Sequence, residues 1–183
     1  QQILQTIKEV KVDGLDCFKM KVGGGIEFDR KRMAFIRDAI GEEALLMTDA
    51  NQIWGVDEAI DYMKQLAEFS PHWIEEPTAR DDVFGYQQIA EALQPLGIGV
   101  AAGEQVPSPV IFKQLMMQQA IQFCQIDDTR LAGVQDVLAV ILMADKFNIP
   151  VCPHGGGIGL CNMIVHYAVW DQICVSGPFR GQL

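Results

Sequence analysis

The sequence predicts a parallel α/β structure, and within that class a (β/α) barrel rather than an open doubly wound sheet. Three observations lead there. Short apolar runs alternate with amphipathic stretches at a spacing of about 26 residues. The amphipathic stretches carry residues that start and stop helices, and the runs end, at their C-terminal edges, in ionisable residues.

The runs cover residues 17–22, 44–48, 72–74, 97–102, 121–126, 149–152 and 173–175, each short enough for a buried strand. Between the first two, Met33, Ile36 and Ile40 fall on one helical face and Gly41 stops the helix. Ala59, Ile60, Met63, Leu66 and Ala67 form the next apolar face, after Asp57. Pro95 ends the helix that precedes the fourth run. Ser108 and Pro109 supply an N-cap and a first-turn residue for a helix running toward Gln119.

Lys19 and Lys21, Asp49, Glu75 and Glu76, Glu104, Asp127 and His154 end six successive runs. Side chains from six consecutive strand ends converge on one point only if the strands close into a ring, which decides for the barrel. A full barrel has eight strands and about 250 residues. Seven runs in 183 residues therefore predict an incomplete one. No low-complexity linker or charge block divides the chain, so residues 1–183 are expected to form one partial barrel domain.

Half of the residues are apolar (49%), enough for a sizeable core, and the formal charge is −10. That charge argues against nucleic acid or an anionic membrane surface as partner, since both select basic surfaces. The longest strongly apolar stretch, residues 137–144, is far shorter than the roughly 20 residues of a membrane span. Five cysteines, with no CxxC pair and mostly apolar neighbours, read as reduced residues of an intracellular protein. The first residue is Gln1 and no signal-like segment follows it, so the true start is expected to lie upstream and targeting is unreadable.

Asp49, Glu75 and Glu104 on three consecutive strands offer three hard oxygen donors to one octahedral cation, for which magnesium fits best. Glu75 and Glu76 point to opposite faces, so one is a candidate ligand and the other its support; spacing alone does not say which. Lys19 and Lys21 share a strand face, and a lysine crowded by a second cation and partly desolvated has a lowered pKa and can act as a base. His154 and Asp127, on adjacent strands, form a candidate acid/base dyad with the carboxylate orienting the ring. His72 and His166 read as ordinary structural histidines.

The set Lys19-Met20-Lys21, Asp49-Ala50-Asn51, Trp73-Ile74-Glu75-Glu76-Pro77, Gly103-Glu104-Gln105, Gln125-Ile126-Asp127 and Pro153-His154 resembles the mandelate-racemase-like branch of the enolase superfamily. Within that branch the chain looks most like the L-fuconate dehydratases. Ile111 to Leu115, Gly159-Leu160-Cys161 and Val175-Ser176-Gly177, the start of a last strand, extend the resemblance along nearly the whole chain.

The resemblance implies Lys21 as one acid/base and His154, oriented by Asp127, as the other, with Lys19 beside them. It implies Mg2+ on Asp49, Glu75 and Glu104. It further implies α-proton removal from a small sugar-acid substrate, an enediolate, and loss of the β-hydroxyl to give a 2-keto-3-deoxy acid. Which residue takes the α-proton stays open. Symmetric homo-oligomers, a cytoplasmic or mitochondrial site, an N-terminal capping domain and a further barrel strand are implied as well.

Two departures are present: Ser108-Pro109 stands where an Asn-Arg pair is expected, and residues 178–183 lack the acidic residue of the last strand. The alternatives are another sugar-acid dehydratase, a racemase or epimerase, or a non-catalytic barrel remnant.

Overall fold

The computed structural model describes residues 2–156 and 161–177. Five parallel strands stand in sequence order in one sheet: β1 (Cys17–Lys21), β2 (Leu45–Asp49), β3 (Pro71–Glu75), β4 (Gly99–Ala102) and β5 (Phe123–Cys124). Helices connect them: α1 (Gln2–Val12) precedes β1, and α2 (Ile26–Ile40), α3 (Val56–Leu66), α4 (Val83–Leu93) and α5 (Pro109–Met117) follow β1 to β4 in turn. After β5 come α6 (Val134–Lys146) and α7 (Cys161–Trp170). Consecutive parallel pairing with a helix at each crossover is the (β/α) arrangement expected from the alternating runs.

The sheet curves. Flat strands about 4.8 Å apart would set β1 about 24 Å from the segment after β5. Yet Cys152 lies within electrostatic reach of Glu75 on β3 and of Lys19 and Cys17 on β1, so the first strand has swung toward the last segment. Period-two alternation then separates two layers. Leu46, Ile74 and Val100 face outward into the main core beneath the helices, with Met33, Met63, Ile89 and Phe112. Met47, Trp73 and Ala101 face inward as a small second cluster, packed by Phe123. The next positions along these inward rows are Asp49 and Glu75, which places the ionisable side chains at the C-terminal edge.

Local chemistry sets the boundaries. Gly41 ends α2 with φ 82°, a conformation that disfavours a side chain. Ser108 Oγ accepts from Val110 N at 3.2 Å and Pro109 opens α5. Pro95 sits in a 3-10 turn, Gln94–Leu96, that terminates α4. Arg37, almost fully buried, donates to the carbonyls of Gly41, Ala44, Phe69 and Ser70, which ties the end of α2 to the turns before β2 and β3.

Three expectations need correction. Residues 173–175 are not a strand: they belong to a π-helical turn, Asp171–Val175, that continues α7. A three-residue apolar run has no period, so nothing local separates strand from helix there. Residues 149–152 contribute a single bridge, Val151 to Cys124, and residues 121–126 a two-residue strand; Pro150 has no N–H to extend the bridge toward its start. Pairing nevertheless continues to the site: Cys124 N, Cys152 N and His154 N donate to Pro150 O, Cys124 O and Ile126 O. Gly159, Leu160 and residues 178–183, which enter the resemblance and its departures, lie outside the described residues.

Candidate active site

The strand ends bring the sequence-selected residues into two contacting groups. In the first, Lys19 Nζ lies 2.7 and 2.8 Å from the two oxygens of Glu75 and 3.5 Å from Asp49 Oδ2. Lys21 Nζ donates to Asp49 Oδ2 at 2.5 Å and to Asn51 Oδ1 at 2.6 Å. In the second, His154 Nδ1 is 2.7 Å from Asp127 Oδ2, and His154 Nε2 is 3.2 Å from Glu104 Oε2. Asn51 joins the groups: its backbone N–H donates to Asp49 Oδ1 at 3.0 Å and its amide donates to Glu104 Oε1 at 3.5 Å.

Registration explains the first group. Lys21 pairs with Asp49 across β1–β2 and Asp49 with Glu75 across β2–β3, so three charged residues stand in one row at the sheet edge. Asp49, Glu75 and Glu104 are buried, at 0%, 0% and 6% exposure. Burial drives the Glu75 carboxyl up and repulsion from Asp49 adds to it, while Lys19 and Gln125 hold it down; the net shift is upward. Glu76 is buried as well, beside Glu104. Its Oε1 accepts from Gln52 Nε2 at 3.0 Å, and burial, helped by Glu104 and Asp49, pushes it up to about 7.

For Lys19 the expected lowering is not found. Burial does push its pKa down, but Glu75, Asp49 and Glu104 together outweigh that, and it is raised. The spacing of the two lysines shows a neighbouring ammonium; it does not show that three carboxylates face them. Lys19 is thus an ion-pair partner in this arrangement rather than a neutral base.

Burial also pushes Asp127 up, but hydrogen bonds from Thr129 Oγ1 (2.6 Å), Thr129 N (2.8 Å) and His154 outweigh it, and the carboxyl lies below its ordinary value. Its charge faces Nδ1, which fixes the ring proton there.

The donor set suits a hard dication. Three buried carboxylates could supply oxygen ligands, and an ammonium within 3.5 Å of both Asp49 and Glu75 already holds positive charge between two of them. Glu104 is turned toward Asn51 and His154, so among the described residues no three His, Cys, Asp or Glu side chains stand at ligating spacing. A groove of about 780 Å³ opens elsewhere, at the N-terminal ends of the strands, beside His72, Gly99 and Phe123. None of the converging ionisable groups lines it, so size does not locate the chemistry.

Residues 2–179 match the enolase C-terminal domain-like family. The chain belongs to that family. Among its relatives are human mitochondrial enolase superfamily member 1, 52% identical over 93% of this chain and 39% of that protein, and the L-galactonate dehydratase of Hypocrea jecorina, 51% identical over 94% of this chain and 39% of that protein. The crystal structure of the human protein superposes with a TM-score of 0.91, covering 94% of this chain and 39% of its own. The L-talarate dehydratase of Polaromonas sp. JS666, in a crystal structure complexed with Mg and L-glucarate, superposes with a TM-score of 0.76 at 25% identity, over 85% of this chain and 43% of its own. The chain thus spans about two fifths of the length of these relatives. For this member of the enolase C-terminal domain-like family, barrel architecture is thereby established independently of the strand count.

Sequence reasoning passed over Asn51, Gln52 and Gln125 as site residues. Asn51 and Gln52 take positive φ (47° and 63°) directly after β2, a conformation that asparagine tolerates and most residues avoid, and Asn51 was therefore findable. Gln125 directly follows β5; its side chain hydrogen-bonds Glu75, and its buried Oε1 has no protein partner.

Proposed function

We propose that the complete protein is a magnesium-dependent dehydratase of sugar acids. The single observation that carries this is the convergence, at one sheet edge, of three buried carboxylates, a lysine pair and a histidine–aspartate dyad. Asp49, Glu75 and Glu104 are the residues that would hold the cation. When bound, it supplies positive charge to the substrate carboxylate and to the extra negative charge that enolisation places there.

The chain's own residues do the rest. Lys21 and His154 approach from separate strand ends, and each can hold or move a proton: one removes the α-proton, the other delivers a proton to the departing β-hydroxyl. Asp127 keeps the His154 ring in one tautomer. Lys19, as an ammonium, balances Glu75 and Asp49 and faces the place where an anionic substrate would bind. A racemase or epimerase would use the same bases without the loss of water; the L-galactonate dehydratase relative favours dehydration.

L-fuconate is the leading substrate, with L-galactonate beside it. The two acids share their configuration along the chain and differ in a hydrogen or a hydroxyl at C6, so a site that reads the reacting centre accepts both. The Polaromonas L-talarate dehydratase, with Mg and L-glucarate in its complex, supports the pairing of this fold with a sugar acid and that metal. A mitochondrial or cytoplasmic, homo-oligomeric protein is proposed with this reading. Support for the location comes from the mitochondrial name of the human relative and from five free cysteines. No described helix is long and apolar enough to cross a membrane.

The test is calorimetric. Magnesium should bind the protein, and Asp49→Asn, Glu75→Gln and Glu104→Gln should each weaken binding by about tenfold or more. Unchanged affinity in all three would remove the metal assignment.

A further inference from the structure

Away from the reacting groups, one buried carboxylate gathers four donors. Asp29, in the first turn of α2, has 0% exposure. Its Oδ2 accepts from Gly23 N at 2.6 Å, Gly24 N at 3.0 Å and Tyr62 Oη at 2.8 Å, and its Oδ1 accepts from Arg32 at 2.9 Å. The same Arg32 nitrogen donates to Lys21 O at 3.0 Å, and Tyr62 Oη accepts from Gly25 N at 3.1 Å. Every N–H of the Gly23-Gly24-Gly25 turn, and the carbonyl of Lys21 before it, is therefore held by one network. Helix capping alone does not require this: α2 has no side-chain cap on Gly25, and the carboxylate reaches two residues beyond it.

The turn is one that must be held. Gly23 and Gly25 have φ of 98° and 108°, where glycine is freer than any other residue, and a Cβ on Gly23 would strike Ile53. An unanchored turn of three glycines following β1 would let the Lys21 backbone, and with it the ammonium, wander. Tyr62 carries the anchor further. Its ring packs on Trp54 (centroids 4.4 Å apart), which lies in the loop that leaves Asp49 and Asn51. The two loops that follow Lys21 and Asp49 are thus coupled through one phenol. Burial, then the Asp29 carboxylate, push that phenol up to about 12, so it remains a donor across the physiological range.

We propose that Asp29 and Tyr62 are positioning residues, which hold the Lys21 ammonium against Asp49 and Asn51 by fixing the Lys21–Gly25 backbone. Neither touches the reacting groups, and the proposal rests on the reading of Lys21 as an acid/base of a sugar-acid dehydratase. Coupling of this kind is sensitive, because a displacement of about 1 Å at a reacting group can cost about 100-fold in rate.

The experiment uses the complete protein with Tyr62→Phe, which keeps the ring on Trp54 and removes only the hydroxyl, and Asp29→Ala as the stronger lesion. Two readouts are taken. The first needs no turnover: acylation of the Lys21 amine, measured by peptide mass spectrometry against the exposed Lys113 as internal standard. It should rise about threefold or more in Tyr62→Phe, as loosening of the segment frees the amine from its hydrogen bonds to Asp49 and Asn51. The second is the split of kinetic constants on L-galactonate or L-fuconate: kcat should fall about 10- to 100-fold with KM within about twofold. Lys21 labelling as in wild type overturns the proposal whatever the rate does. Raised labelling with wild-type kcat overturns it too, since the lysine would then be loosened without consequence. If the wild-type protein turns over no sugar acid, the functional reading fails by itself, and the labelling ratio alone decides whether the network fixes Lys21.

Discussion

Asparagine in place of Asp127 is the sharpest perturbation of the dyad. The replacement preserves size, and its amide oxygen can still accept from Thr129, whose N–H and hydroxyl lie 2.8 and 2.6 Å from Oδ1. What remains to face His154 Nδ1, 2.7 Å away, is an NH2 group. Two donors then oppose each other, and the ring escapes only by moving its proton from Nδ1 to Nε2. A ring in that tautomer offers its lone pair to the new amide instead of to the substrate. The loss is that of a charge-assisted hydrogen bond, about 1.5–3 kcal/mol. At about 1.4 kcal/mol per tenfold, kcat should fall about 10- to 150-fold. The assay is steady-state dehydration of L-galactonate or L-fuconate by the complete protein with Asp127→Asn, at saturating magnesium, with thermal unfolding as the folding control. A variant that folds normally and keeps kcat within about threefold would refute the argument that Asp127 selects the working tautomer.

Other consequences are open to measurement. Burial lowers the pKa of His72, so the native state favours the neutral ring; stability from this source is complete above the ordinary histidine value and declines as pH falls through it. Denaturant midpoints of wild type should accordingly drop between about pH 8 and 5 more than those of His72→Gln, and parallel curves would contradict this. Ile74, fully buried on the outward face of β3, should cost about 2–5 kcal/mol on replacement by alanine, read by urea unfolding. Lys21→Ala should reduce kcat by about 100-fold or more with the fold retained by circular dichroism, and near-wild-type turnover would remove that residue from the mechanism.

Much of the site was legible because strand ends project side chains at a fixed period. Asp49, Glu75 and Glu104 were readable as a set from three runs that each stop at a carboxylate, and the structure buries all three at one edge. The choice between Glu75 and Glu76 was not readable from spacing. It depends on which face the strand turns inward; β2–β3 registration sets Glu75 opposite Asp49, with Lys19 beside it. The protonation bias of Lys19 was hidden for a related reason. Lys21 is its neighbour in sequence, whereas Glu75, 56 residues away along the chain, comes beside it only through folding. Asp29 and Tyr62 are separated by 33 residues on two helices, and no local pattern announces their contact. Helix α1 was findable, since Ile3, Leu4, Ile7 and Val10 fall on one helical face, although only Ile7 is buried. Residues 173–175 read equally well as strand or helix because a run of three supports either periodicity.

The most direct test of the central claim is turnover of L-fuconate and L-galactonate by the complete protein, followed as formation of a 2-keto-3-deoxy acid with magnesium present and with magnesium removed by chelation. Product should form with magnesium, not without it, and not from Glu104→Gln at the same protein concentration. Absence of product from every sugar acid offered, or product formation indifferent to the metal, would contradict a magnesium-dependent dehydratase.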